Sequence, residues 1–254
     1  MRLLCSIIMC LLFVGRVSAD TLYVAAASDL VFCLEKLNHQ FQQQYPQLQI
    51  KLATGSSGNF YAQVQKDAPF EVYLSADIRY PQKLIEQQKA DANSLFVYAQ
   101  GQLALWTNNP NVDVAQGLAV LSNSHIKRIA IANPDHAPYG QAARAVLVGQ
   151  QLWDALNPKL VMGENIAQTL QFIQSQHADV GFVALSLLRA PQLSTQGRYW
   201  LIPQNLYPPL KQAFVVTKRG QQNPWSYRYT QFLKSRVAQK VFADYGFVLP
   251  NSAL

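Results

Sequence analysis

The sequence predicts an α/β fold of two lobes, each a mixed, mostly parallel sheet flanked by helices, with a ligand cleft between them. Short segments that are apolar, or in which apolar and polar residues alternate, are typical of strands. Along the chain they alternate with segments whose apolar residues recur every three or four positions, as on one helix face. This order indicates parallel strands joined by right-handed crossovers. The pattern occurs on both sides of a long apolar stretch at residues 96–106, which predicts the two lobes.

The first lobe opens with an apolar strand and a helix that begins at Ser28. The i, i+4, i+7 spacing of apolar residues gives this helix one buried face. That face carries Leu30, Leu34, Leu37 and Phe41. The predicted elements in order are a strand at 21–26, the helix from Ser28, a strand at 48–52, a helix at 59–66 and a strand at 71–75.

The second lobe repeats the alternation, and the chain then returns to the first lobe. Residues 96–106 are interpreted as a strand pair or as a crossing between the lobes, since Gly101 interrupts them. The elements that follow are a strand at 128–132, a helix at 142–152, a helical stripe with Ile166, Leu170 and Ile173, a strand at 180–184, a returning strand at 212–216 and one last helix at 225–242 with Leu233, Val237 and Val241 on its apolar face. We expect a first lobe made of residues 20–101 and 207–254, and a second lobe at 102–206.

Residues 1–19 predict a secretory signal peptide. Arg2 gives a basic start, residues 3–14 are apolar, and Val17-Ser18-Ala19 fits a cleavage site just before Asp20. The apolar run is too short to span a bilayer. We therefore expect export and cleavage near Ala19-Asp20.

Composition excludes several function classes. The net charge is +7, but the basic residues are scattered, whereas a nucleic-acid surface needs them gathered with aromatic residues. Cys33 is the only cysteine left after the predicted cleavage, so no internal disulfide is expected. The four histidines occur singly, so no metal site is expected. His136 is interpreted as a solvated loop side chain, with a role in tuning the cleft near Tyr139 as the alternative. No Gly-x-Ser-x-Gly motif of a hydrolase is present.

Four segments have the composition of helix starts. They are Ala27-Ser28-Asp29, Gly55-Ser56-Ser57-Gly58, Ala137-Pro138-Tyr139-Gly140 and Glu164-Asn165-Ile166-Ala167. A helix N-terminus presents unpaired N–H groups and roughly half a positive charge, so four of them could offset about two negative charges. None of the segments offers a nucleophile with a base beside it. They predict a site that binds a small oxyanion without chemistry, although the serines could also be plain helix caps and the glycines plain turn residues.

These segments also carry a family resemblance. It rests on Ala25-Ala26-Ala27-Ser28, Gly55-Ser56-Ser57-Gly58-Asn59-Phe60, Ala68-Pro69-Phe70-Glu71-Val72, Ile131-Ala132-Asn133-Pro134, Ala137-Pro138-Tyr139-Gly140, Glu164-Asn165-Ile166 and Val180-Gly181-Phe182-Val183-Ala184. In this order and spacing the chain resembles the periplasmic molybdate-binding proteins of ABC transporters, which are group II solute-binding proteins. The resemblance implies a type II periplasmic-binding-protein fold whose lobes close over molybdate or tungstate. It further implies a monomer in the periplasm that docks on a membrane permease, has no cofactor besides this ligand and is not an enzyme.

The resemblance implies five ligand-binding residues. Ser28 matches a position that uses its hydroxyl and N–H on the oxyanion, and Ser57 matches the second such serine. Tyr139 matches a position whose N–H, and in some members a tyrosine hydroxyl, reaches the ligand. Ile166 matches a residue that offers its N–H. One family branch has a capping tyrosine where this chain has Ala184, so the hydroxyl of Tyr139 is expected to take that role.

Asp29 is the fifth residue and bears on the identity of the anion. A branch of the family can carry asparagine at this position. A carboxylate facing a dianion would be repelled by about 4 kcal/mol for unit charges about 4 Å apart at an effective dielectric of about 20. We therefore expect Asp29 to donate its N–H, with its side chain turned away or capping the helix. A side chain facing the ligand could instead accept the proton of hydrogen phosphate, which leaves sulfate, phosphate or another anion as the alternative ligand. An exported α/β hydrolase is the other alternative.

Overall fold

Ten strands form two five-stranded sheets in the computed structural model, which describes residues 20–250. The predicted signal peptide at residues 1–19 lies outside the described residues. In chain order the strands are β1 (Asp20–Ala27), β2 (Leu48–Gly55), β3 (Val72–Ser75), β4 (Phe96–Gly101), β5 (Leu103–Thr107), β6 (Ile129–Ala132), β7 (Leu160–Gly163), β8 (Val180–Ala184), β9 (Arg198–Leu201) and β10 (Leu210–Val216).

Helices cover the faces of both sheets. They are α1 (Val31–Gln44), α2 (Ser57–Gln65), α3 (Arg79–Glu86), α4 (Pro138–Gly149), α5 (Trp153–Leu156), α6 (Ile166–Gln174), α7 (Leu185–Leu188), α8 (Pro224–Leu233) and α9 (Arg236–Asp244). A single 3₁₀ turn at Ser28–Leu30 precedes α1. Between residues 20 and 250, none of the helices has the length and apolar character that crossing a bilayer requires.

The two sheets share one pattern of strand directions. The first has the order β2-β1-β3-β10-β4, with β1 parallel to β2 and β3 and with β10 antiparallel to β3 and β4. The second has the order β7-β6-β8-β5-β9, with β6 parallel to β7 and β8 and with β5 antiparallel to β8 and β9. One strand in each sheet thus runs against the others. This confirms the predicted pair of mixed, mostly parallel α/β lobes.

The chain crosses between the sheets at Gln102. β4 ends at Gly101 in the first sheet, and β5 begins at Leu103 in the second. Residues 96–107 are therefore a crossing and not a hairpin. Gln102 fixes the position of this crossing through two hydrogen bonds. Its carbonyl accepts from the N–H of Leu185 at 3.0 Å, and its side-chain amide donates to the carbonyl of Gly246 at 2.6 Å.

The core of the first sheet confirms the predicted face of the first helix. Leu30, Leu34, Leu37 and Phe41 are each at most 1% exposed, and they pack with Leu22 and Val24 of β1. Cys33 lies in the same cluster and is buried. The stripe of Ile166, Leu170 and Ile173 is likewise buried, in the core of the second sheet.

The prediction of one last helix at 225–242 is wrong. α8 ends at Leu233, and Ser235 caps a separate helix, α9, by accepting from the N–H of Ala238 at 3.2 Å. A serine hydroxyl that bonds the backbone of the next turn favours a helix start over a helix interior. The break changes the phase of the apolar face, so Val237 is 53% exposed while Leu233 and Val241 are buried as predicted.

Candidate functional site

All five predicted site residues line one small cavity between the two sheets. The cavity has a volume of about 10 Å³. Its walls are Ala27, Ser28 and Asp29 at the end of β1, Gly55, Ser56 and Ser57 at the end of β2, Ala137, Pro138 and Tyr139 at the start of α4, Ile166 of α6, and Ala76. The cleft at the carboxyl ends of parallel strands is where open α/β sheets bind ligands. The predicted convergence of the four segments is therefore present, whereas contact of these residues with an anion stays a prediction.

Each of three α-helices at the cavity begins with a local device. Ser56 precedes α2 and accepts from the N–H of Asn59 at 3.3 Å. Pro138 occupies the first turn of α4, where its missing N–H costs no helical hydrogen bond. Asn165 precedes α6 and accepts from the N–H groups of Ala167 and Gln168 at 3.0 and 3.1 Å. The predicted starts at residues 59 and 142 were wrong, because these devices start α2 and α4 earlier.

The two predicted serines are held by backbone contacts. Ser57 is fully buried, and its Oγ accepts from the N–H of Ala76 at 3.0 Å, which leaves its own hydroxyl proton to donate. Its carbonyl accepts from the hydroxyl of Tyr73 at 2.7 Å. Ser28 Oγ accepts from the N–H of Ala167 at 3.3 Å, so it joins the start of the first helix to that of α6. Both hydroxyls are thereby fixed at the cavity with a proton to offer.

Asp29 turns its side chain toward two donors from distant parts of the chain. The hydroxyl of Tyr139 donates to Asp29 Oδ2 at 3.0 Å, and the side-chain amide of Gln212 donates to the same oxygen at 2.5 Å. The second oxygen, Oδ1, is buried and has no hydrogen-bond partner among residues 20–250. Asp29 is 1% exposed, and burial raises its pKa to about 6 although both hydrogen bonds lower it.

Of the two placements expected for the Asp29 side chain, turned away or capping the helix, the capping one is wrong. The 3₁₀ turn at Ser28–Leu30 has no side-chain cap, and the Asp29 carboxyl instead accepts from Tyr139 of α4 and from Gln212 of β10. The same contact uses the Tyr139 hydroxyl proton, which is then not free for an anion; the N–H of Tyr139 remains, in the first turn of α4. Burial also raises the pKa of the Tyr139 hydroxyl well above its usual value, so it stays a donor.

Gly101 makes room for this group of side chains. A Cβ atom at Gly101 would lie 2.2 Å from the Tyr139 hydroxyl oxygen and 2.8 Å from Gln212 Nε2. Both distances are shorter than a carbon can approach without displacing its neighbour. A glycine is therefore needed at the end of β4 because a larger residue would displace Tyr139 and Gln212. The sequence alone does not reveal this requirement.

Further hydrogen bonds join the lobes around the cavity. Ser56 Oγ lies 2.8 Å from His136 Nδ1, and the N–H of Gly58 donates to the His136 carbonyl at 2.9 Å. His136 Nε2 lies 3.5 Å from Glu164 Oε2. At a separate point the Arg79 guanidinium donates to Gln141 Oε1 at 2.9 Å. The interpretation of His136 as a solvated loop residue is wrong, because it contacts the opposite lobe through both its side chain and its backbone.

Sequence reasoning missed Gln212. It lies in β10 between Lys211 and the apolar residues 213–216, is fully buried, and accepts from the Tyr98 hydroxyl at 2.8 Å while donating to Asp29. A glutamine at the start of an apolar run was the available signal, because a buried amide needs partners for both its ends. Ser186 was also missed, because nothing in its sequence surroundings indicates a buried polar contact. Its hydroxyl donates to the Asp29 carbonyl at 2.7 Å.

Comparison with known proteins agrees with this arrangement. The family model described as bacterial extracellular solute-binding protein matches residues 22–248. A molybdate-binding protein ModA from Azotobacter vinelandii is 38% identical over 231 residues, 91% of each chain, and one from Rhodobacter capsulatus is 40% identical over 199 residues, 78% of this chain and 77% of its own. The solved structure of the Azotobacter vinelandii periplasmic molybdate-binding protein superposes with a TM-score of 0.86 at 35% identity, covering 91% of this chain and all of that one.

The predicted resemblance is thereby confirmed, and so is the fold it implied. The family match extends over almost the whole described part of the chain, and both relatives exceed 30% identity over most of their length. The chain belongs to the family of bacterial extracellular solute-binding proteins.

Proposed function

We propose that the protein binds molybdate in the cavity between its lobes and delivers it, in the closed form, to the permease of an ABC transporter. The observation that carries the proposal is the meeting of four helix starts at one cavity with serine hydroxyls fixed beside them. The two relatives at 38 and 40% identity, both molybdate-binding proteins by name, direct the choice of anion.

The charge of the cavity suits a dianion. Among the described residues that line it, none is lysine or arginine. Helix N-termini instead provide roughly half a positive charge each, so the converging ends could offset about two negative charges. The N–H of Ile166 belongs to this set. The Asn165 side chain accepts from the N–H groups of Ala167 and Gln168 but not from that of Ile166.

Selection among tetrahedral anions would follow from the donors. Molybdate and tungstate carry no proton at neutral pH and accept hydrogen bonds on every oxygen. Hydrogen phosphate carries a proton that needs an acceptor. Asp29 Oδ2 is already occupied by two donors, and Oδ1 is an acceptor only while the carboxyl is ionised. Sulfate has the same charge but shorter bonds to oxygen, so it would make weaker contacts in a cavity shaped for the larger anion. Tungstate is proposed as a second ligand on the same grounds.

Entry of the anion requires the lobes to move. A volume of about 10 Å³ holds about one water molecule and no tetrahedral oxyanion. We assign residues 20–101 and 207–250 to one moving body and residues 102–206 to the other, with Gln102 at one connection. The lobes would open by hinge motion, and the contacts of His136 and Arg79 across the lobes would stabilise the closed form. The permease would recognise this form of a monomer in the periplasm.

Binding without catalysis is part of the proposal. Ser56, His136 and Glu164 lie in the order of a catalytic triad, with 2.8 Å between the first pair and 3.5 Å between the second. The Ser56 oxygen, however, also accepts from the N–H of Asn59, and the side chain is 4% exposed. We therefore assign this serine to helix capping and lobe contact. A fluorophosphonate probe that labels Ser56 would contradict the assignment.

Thermal unfolding with an anion panel tests the function. A ligand that binds only the folded state raises the Tm by mass action. We expect molybdate and tungstate to raise the Tm of the mature protein, while equal concentrations of sulfate and phosphate leave it unchanged. Ser57→Ala should reduce the rise relative to its own ligand-free protein, and the exposed Ser194→Ala should keep it. A larger rise with phosphate or sulfate, or no rise with any anion, would overturn the proposal.

A further inference from the structure

The cavity contains a carboxyl group where a site for a dianion should have none. Asp29 is buried, and its Oδ1 has no hydrogen-bond partner among residues 20–250. Both donors that reach this side chain, the Tyr139 hydroxyl and the Gln212 amide, donate to Oδ2. One oxygen of the carboxyl is therefore fully used, and the other is free to carry a proton without the loss of either bond.

Within residues 20–250, no lysine or arginine side chain forms an ion pair with Asp29. The groups that face it from the elements packed around it are Tyr139 from α4, Gln212 from β10, Tyr98 from β4 and Cys33 from α1. All of them are neutral near pH 7, since Gln212 does not titrate and burial raises the pKa of both tyrosines and of the thiol. Near pH 7, protonation of Asp29 itself is therefore what changes the charge of this group of side chains.

We propose that Asp29 takes up one proton on Oδ1 when the oxyanion binds, so that the protein captures the anion and a proton together. The inference rests on the proposed function. An ionised Asp29 beside a dianion would be repelled, whereas the neutral acid presents an O–H donor like the rest of the cavity. Proton uptake thus removes the negative charge of the Asp29 carboxylate from a cavity whose other groups donate hydrogen bonds.

The free protein is poised for this uptake. Burial raises the pKa of Asp29 to about 6, and a dianion in the cavity raises it further because it opposes the ionised form. Between the two pKa values, free Asp29 is ionised and bound Asp29 is neutral. In that range affinity falls as the pH rises, by up to about tenfold per pH unit for one proton. Below about pH 6 the acid is already protonated, and the dependence levels off.

Calorimetric titration with molybdate in buffers of different ionisation enthalpy measures the uptake. At pH 7.5 we expect the mature protein to take up a fraction of a proton that approaches one per anion bound. The Kd should rise from pH 6 to pH 8.5. Asp29→Asn keeps an oxygen for Tyr139 and Gln212 but cannot titrate, so it should bind molybdate with no uptake and a flat pH profile. His136→Gln is a control in which the His136 side chain that contacts Ser56 across the cleft is replaced, and proton uptake should persist in this variant whatever its affinity for molybdate.

A second variant keeps the test decisive if Asp29→Asn fails to fold. Tyr139→Phe removes a donor that lowers the pKa of Asp29, so the pH at which uptake begins should move upward; a purely structural Asp29 gives no such shift. Tight binding of molybdate with no proton uptake, or equal uptake in Asp29→Asn, overturns the inference. Absence of molybdate binding by the unmodified protein in every buffer would instead refute the proposed function.

Discussion

Gln212 and Asp29 meet at the cavity although 183 positions separate them in the sequence. The amide of Gln212 donates to Asp29 Oδ2, and its oxygen accepts from Tyr98, so both ends of the buried amide are used. β10 returns to the first sheet between β3 and β4, and this return is what brings Gln212 beside the start of the first helix. The contact links the last strand of the fold to the proposed anion site.

Gln212→Leu should destabilise the protein by about 1–3 kcal/mol at pH 7, because it removes a donor from a buried carboxylate and leaves the Tyr98 hydroxyl without its acceptor. Urea unfolding measures the change. Gln222 is exposed, and Gln222→Leu should stay within about 0.5 kcal/mol of the unmodified protein. Equal stability of the two variants would contradict the role given to Gln212.

Asp29→Asn should stabilise the ligand-free protein at pH 7. The folded-state pKa of Asp29, about 6, lies above the ordinary value of 3.8, so the unfolded chain releases this proton first as the pH rises. Stability is therefore lost between about pH 4 and pH 6 and stays lost above, by up to about 3 kcal/mol. The difference between Asp29→Asn and the unmodified protein should shrink toward pH 4. Urea unfolding across this range measures it, and a difference that does not vary with pH would contradict the raised pKa.

Gly101→Ala should weaken both folding and binding. The new Cβ would meet the Tyr139 hydroxyl and the Gln212 amide, and displacing them should cost about 1–3 kcal/mol. Gly149→Ala is the matched control, because nothing lies within 4 Å of a Cβ there and alanine is the better helix former. Thermal unfolding with and without molybdate compares the two, and a harmless Gly101→Ala would show that the crossing tolerates rearrangement.

His136→Ala should speed the release of molybdate. It removes the side-chain bond to Ser56 across the lobes, and a net value of about 0.5–1.5 kcal/mol for that bond corresponds to a change of about 2- to 10-fold. Stopped-flow fluorescence gives the release rate. The exposed His125→Ala should leave that rate unchanged. Identical rates in both variants would mean that His136 does not hold the closed form.

The sequence predicts most of the fold because apolar periodicity records burial directly. The face of Leu30, Leu34 and Leu37 repeats with helical spacing, and all three are fully buried. The break at Ser235 escaped prediction, since the apolar spacing continues past it while the hydroxyl caps a new helix. The apolar periodicity there predicts one continuous helix, whereas the serine favours a new helix start, and the structure follows the serine cap.

The backbone part of the candidate site is predictable for a related reason. Helix starts have a local composition, and four of them at the ends of strands must meet where the strands end. The side-chain directions are not local. Tyr139 donates to Asp29 across 110 positions, and His136 reaches Ser56 across 80, so only the assembled lobes determine them. For this reason capping, one of the two placements expected for the Asp29 side chain, was wrong.

Anomalous diffraction at the molybdenum absorption edge, from crystals of the mature protein grown with molybdate, locates the bound anion directly. We expect one strong peak between the lobes, with oxygens of the anion within hydrogen-bonding distance of the hydroxyls of Ser28 and Ser57 and of the N–H groups of Tyr139 and Ile166. A peak elsewhere on the protein, or an anion bound there through lysine or arginine side chains, would contradict it.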